Sequence, residues 1–119
     1  MRLLIALVAV MVAAAVSAAS STPATKILRG SVGPSFTISV KTPAGKVVRT
    51  TKAGTYRIIV QDKSAFHDFH LTGPGINKVI TTVSFTGTKS VTVKLKVGRY
   101  RYVCDPHSSQ MKGSFRVTA

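Results

Sequence analysis

The chain has no glutamate and no tryptophan, and its only acids are three aspartates, Asp62, Asp68 and Asp105. Acid–base catalysis by paired carboxylates therefore has little to work with. It has one cysteine, Cys104, so no disulfide can close within the chain. Beyond its first residues it has no long apolar run and no helical periodicity, and "GPG" at Gly73 to Gly75 lacks the strand-to-helix context that cradles phosphate. Against the three acids stand 17 lysines and arginines, a net charge of +14. Such a surface favours anionic partners: an acidic protein, or an anionic lipid or wall polymer of a cell envelope. The cations are scattered through alternating segments with no dense run, which is the pattern of a solvated basic surface.

The chain opens with "MRLLIALVAVMVAAAVSAAS": a basic Arg2, an apolar run from Leu3 to Val16, then small residues. This is the three-part pattern of a secretory signal peptide, read as residues 1–18, with Val16-Ser17-Ala18 as the cleavage signal. The run is short of the roughly 20 residues a spanning helix needs; an uncleaved anchor is the competing reading. No cysteine lies near it to carry a lipid. Cleavage after Ala18 leaves 101 residues, enough for one domain, with a leader over 19–25 and the domain over 26–119. The expected location is periplasmic, extracellular or at the cell envelope, which sets nucleic acid aside as a partner. The expected state is a monomer.

The domain alternates nearly throughout. "SFTISV" sets Phe36, Ile38 and Val40 on one face, and "SVTVKLKV" sets Val91, Val93, Leu95 and Val97 on one face. Period-two alternation rich in β-branched residues marks half-buried strands. Strands are expected at 26–32, 35–40, 46–50, 56–61, 66–71, 79–85, 90–97, 99–104 and 113–118, separated by Gly and Pro turns. Phe36, Tyr56, Tyr100, Tyr102 and Phe115 fall on core positions. Short strands at this spacing predict an all-β sandwich or small barrel of about eight strands.

The chemistry concentrates in "RYRYVCDPHSSQMKG". Cys104 ends a strand on the parity of Tyr100 and Tyr102, Pro106 stiffens the turn that follows, and His107 and Met111 share the loop before the last strand. An exported thiol that cannot pair internally is free, pairs with another chain, or is held by something else. A second donor lies upstream in "FHDFHL", where His67 and His70 face opposite sides of a strand, so one of them reaches the Cys104 loop. Thiolate, two imidazoles and a thioether form the donor set that selects copper for electron transfer, whereas zinc prefers four strong ligands.

On these two motifs the sequence resembles the cupredoxin family, the small plastocyanin- and amicyanin-like blue copper proteins. The resemblance implies a Greek-key fold, one Cu(I)/Cu(II) ion per chain, and ligation by His67, Cys104, His107 and Met111. Gln110 is the alternative axial donor and His70 the alternative upstream imidazole. The family commonly has Asn after the upstream His, where it ties the ligand loops together; here the residue is Asp68. The resemblance further implies a non-enzymatic one-electron carrier that meets acidic redox partners transiently, with the edge of His107 as the exit for the electron. Two other readings use the same residues. One is a copper-binding protein for delivery or storage without redox cycling, and the other a metal-free sandwich that adheres to anionic envelopes.

Overall fold

The structure is a computed structural model that describes residues 9–17 and 24–119. Most of the expected signal peptide and leader, residues 1–8 and 18–23, lies outside the described residues. Residues 9–17 are exposed and carry no regular secondary structure. Among the described residues no helix is long and apolar enough to cross a membrane.

Nine strands form the domain: β1 (Lys26–Val32), β2 (Ile38–Lys41), β3 (Thr50–Lys52), β4 (Gly54–Asp62), β5 (Phe69–Gly73), β6 (Ile76–Thr81), β7 (Gly87–Leu95), β8 (Gly98–Val103) and β9 (Lys112–Thr118). They make two sheets, ordered β2-β1-β4-β7 and β3-β9-β8-β5-β6. Each sheet contains one parallel pair, β1 with β4 and β3 with β9, and the remaining pairs are antiparallel. The sandwich predicted by alternation is thus present, with nine strands.

Alternation places the core. Leu28 and Val32 of β1, Tyr56, Ile58 and Val60 of β4, and Val93 and Leu95 of β7 point inward from the first sheet. Phe69 and Leu71, Tyr100 and Tyr102, and Phe115 and Val117 answer from the second. The rings stack in two pairs, Tyr100 on Phe115 at 5.4 Å and Phe69 on Tyr102 at 5.9 Å, each within 9° of parallel. The Tyr100 hydroxyl donates to the Pro74 carbonyl at 2.7 Å and accepts from the Lys96 amide at 2.9 Å. A buried tyrosine thereby keeps its polar tip satisfied.

Several expectations are corrected. Phe36 is 58% exposed and not core. The Gly33 amide donates to the Thr37 carbonyl at 2.9 Å and the Thr37 amide to the Ser35 carbonyl at 2.8 Å, so residues 33–37 form a loop to which strand parity does not apply. Val97 is exposed, because β7 ends at Leu95. The strand expected at 46–50 is a crossover. The chain turns back at Pro43–Gly45, makes one bridge from Lys41 to Val47, and leaves for the other sheet, where β3 pairs with β9. The strand expected at 79–85 begins and ends earlier, at Ile76–Thr81, because it pairs with β5 directly across the Gly73–Gly75 turn.

Candidate metal centre

The loop between β8 and β9 is fixed by its own backbone. Cys104 follows the end of β8, and Asp105–His107 make a single 3₁₀ turn with Pro106 inside it. The Cys104 carbonyl accepts from the His107 amide at 3.0 Å, and the His107 carbonyl accepts from the Met111 amide at 2.8 Å. The Cys104 amide then donates to the Met111 carbonyl at 3.0 Å, closing the loop as β9 begins. Three chemically distinct donors are therefore set by local hydrogen bonds.

His67 arrives from the connection between β4 and β5. There the Asp62 carboxylate accepts from the Ser64 amide at 3.1 Å, and the Ser64 hydroxyl accepts from the Phe66 amide at 3.2 Å. Gly33 supports the ring from behind. Its φ of +71° is a left-handed conformation, and a Cβ there would lie 3.1 Å from the His67 ring.

The Nδ1 atoms of His67 and His107 are 3.1 Å apart, and the Cys104 sulfur is 3.7 Å from the first and 3.6 Å from the second. No other described side chains offer such a cluster of potential ligand atoms. Three donors with those separations are all about 2.0 Å from one point in their plane, the length of about 2.0–2.1 Å typical of a bond from imidazole nitrogen to a transition metal. The donors fit a trigonally bound ion. Met111 is fully buried and its backbone is hydrogen-bonded to both Cys104 and His107, whereas Gln110 is exposed. His70 turns away to the outer face of β5, with Nδ1 at 3.0 Å from both carboxylate oxygens of Asp105 and Nε2 at 2.6 Å from Asn77 Oδ1. Of the two upstream histidines, the structure brings His67 to the cysteine.

Two aspartates brace the loops. Asp68 Oδ1 accepts from the Asp105 amide at 2.6 Å, so the residue after His67 ties its loop to the Cys104 loop even though it is not Asn. Burial, with the facing Asp105 carboxylate, lifts the Asp68 pKa to about 6, while its hydrogen bond with Asp68 holds Asp105 below its ordinary value. One proton shared between the two carboxyls accounts for both directions. Hydrogen bonds to Asn77 and Asp105 raise the His70 pKa and make the ring a bolt between β6 and the ligand loop. Cys104 is fully buried and burial pushes its thiol up, so in the metal-free protein it stays protonated and out of reach of a second chain's thiol.

The outer edge of the centre is apolar. Phe36 meets His67 at 5.6 Å and His107 at 5.0 Å between ring centroids, both edge-on. Pro34, Phe66, Val83 and Pro106 complete a shallow hollow of about 460 Å³ around the partly exposed His107. No lysine or arginine lines it. Sequence alternation assigned Phe36 to the core and overlooked the rest of this rim. The Gly33-Pro34 turn was the available signal that Phe36 sits on a loop.

Among curated proteins, none matches the chain by sequence. Solved structures do match in fold. Rusticyanin from Thiobacillus ferrooxidans superposes with a TM-score of 0.54 at 23% identity, covering 79% of this chain and 77% of that one. Auracyanin A, a "blue" copper protein from Chloroflexus aurantiacus, gives 0.56 at 19% identity, over 80% of this chain and 100% of its own. The model of a family described as copper-binding proteins of the plastocyanin/azurin type matches residues 44–118, a stretch that spans His67, Cys104, His107 and Met111. Fold, donor cluster and family model agree, and the chain belongs to the plastocyanin/azurin family of copper-binding proteins, a cupredoxin whose cofactor is copper.

Proposed function

We propose that the protein is an exported one-electron carrier in which His67, Cys104 and His107, with Met111 as a weaker fourth donor, would hold one copper ion. The observation that carries this is the donor triangle of 3.1, 3.6 and 3.7 Å. Copper bound there would supply exchange of one electron between Cu(I) and Cu(II). The protein's part is to keep the donors from moving. His67 and the Cys104 loop are held on separate, internally hydrogen-bonded segments, joined by the Asp105 amide on Asp68. A frame held this way leaves little rearrangement between oxidation states. Phe36 and its neighbours keep water from the imidazoles and sharpen the electrostatics of the dry site. His107, partly exposed within the apolar rim, is the edge at which a partner makes contact. Export is supported by the signal-like first 18 residues, and acidic redox proteins suit the cationic surface as transient partners.

The test is to add Cu(II) to the purified metal-free protein. An intense thiolate-to-copper band in the visible with reversible voltammetry supports the carrier. A colourless complex that gives up its copper readily supports delivery or storage instead. Cys104→Ser abolishes the band in the first case.

A further inference from the structure

Charge is spread unevenly over the surface. Asp62 and Asp68 are buried, and Asp105 is engaged by His70 at the ligand-loop end. The cations on the outer face of β8 and β9 therefore meet no carboxylate; among the described residues the one ion pair is His70–Asp105. Arg99 and Arg116 are direct cross-strand partners. Arg101, opposite Ser114, follows on the same face, and Lys112 comes one step further along. All four cations are exposed. Like charges directly opposite each other weaken an antiparallel pair, so this arrangement works against the fold unless an anion occupies it.

A shallow cleft of about 350 Å³ lies there, lined by Arg99, Arg101, Lys112, Gly113 and Ser114. It has no aromatic or aliphatic side chain to anchor a protein partner. Its guanidinium forks match phosphate oxygens two at a time, and a serine hydroxyl adds a further donor. We propose that this cleft binds a phosphate group, whether of a free phosphate compound or of an anionic lipid headgroup. The cleft sits on β8 and β9, the two strands that flank the loop holding Cys104, His107 and Met111. Arg101 precedes Cys104 by three residues, about 10 Å of strand, and Lys112 directly follows Met111. A bound phosphate lies within roughly one Debye length of the metal centre and favours Cu(II), lowering the reduction potential. That consequence rests on the electron-carrier reading; the binding itself does not.

The binding is tested by calorimetric titration of the full chain with pyrophosphate at constant ionic strength. Saturable binding to one site is expected, weakened at least about tenfold in Arg99→Gln/Arg101→Gln. Lys26→Gln/Lys94→Gln removes the same charge from exposed positions of the other sheet and changes affinity by less than about twofold. No saturation, or equal weakening in both variants, overturns the site. Melting temperatures confirm that the variants fold, and Arg101→Gln alone serves if the double variant does not. Flotation with phosphatidylglycerol vesicles, corrected by phosphatidylcholine vesicles for the apolar run from Leu3 to Val16, names the source. A loss confined to Arg99→Gln/Arg101→Gln assigns the lipid headgroup, and no loss alongside positive calorimetry assigns free phosphate. With copper loaded, pyrophosphate lowers the potential of the wild type and not of the double variant. Positive calorimetry with an unmoved potential overturns the coupling, whereas a missing visible band counts against the carrier reading alone.

Discussion

Phe36 and Asp68 show how single side chains depart from expectation at a functional centre. Phe36 occupies a position that alternation assigns to the core, yet it spends its ring on two imidazoles and leaves 58% of itself in solvent. Phe36→Ala should therefore change unfolding free energy by no more than about 1 kcal/mol, as for an exposed residue. Copper should nevertheless leave faster, because the imidazoles lose their cover. Chelator extraction beside a denaturant titration separates the two effects, and a large stability loss with unchanged extraction would show Phe36 to be packing only. Asp68 holds the Asp105 amide, as an amide side chain could, but brings a carboxyl with it. In the copper-free protein its raised pKa means the folded state binds the proton more tightly than the unfolded one. That stability is fully present below about pH 4 and is lost as pH rises toward about 6. His70, also raised, acts in the same sense, and the lowered Asp105 opposes it. Asp68→Asn should flatten the copper-free stability profile between pH 4 and 6. In the copper-loaded protein it should raise the reduction potential, since an ionised carboxylate favours Cu(II). A potential that falls or stays fixed on voltammetry rules the second effect out.

The strands differ in how far their sequences announce them. β4, β8 and β9 alternate cleanly because each buries one face along most of its length, and β7 does so over Val91 to Leu95, so period two was readable. β3 was not. Its three residues pair with β9 after the chain changes sheets, and its partners are more than sixty residues away. Local pattern cannot report a distant parallel partner. The candidate metal centre was more legible than the strand bounds, since Cys104, His107 and Met111 lie within eight residues and their backbones are joined by local hydrogen bonds. Choosing His67 over His70 needed either the family resemblance or the fold; parity alone left both open. Tight strand contact is a further property of elements that sequence hides. A Cβ on Gly113 would run into the Tyr102 ring, because β8 and β9 place that glycine directly opposite the tyrosine. Gly113→Ala should destabilise the domain by roughly 1–3 kcal/mol, as overpacking a filled core does. Unchanged chemical denaturation would mean that the ring moves aside freely.

For the whole molecule, the arrangement of charge separates approach from contact. Every described lysine and arginine lies outside the apolar hollow around His107, and that hollow offers only proline, phenylalanine, valine and serine beside the two imidazoles. If an acidic redox partner docks at His107 as proposed, the net charge of +14 acts on it from a distance, while the surface it touches is neutral and apolar. Long-range attraction between exposed charges fades once their separation passes the Debye length, about 10 Å at 0.1 M salt and about 3 Å at 1 M. Apolar contact is not weakened in this way. With an acidic redox partner, raising the salt should lower the second-order rate of electron transfer steeply. The first-order rate within the formed complex should stay nearly constant. Stopped-flow kinetics at saturating and sub-saturating partner over a range of ionic strength separates the two quantities. A second-order rate that ignores salt would mean the basic surface does not steer the partner. A limiting first-order rate that falls along with it would place cations inside the contact, against the neutral rim that surrounds His107.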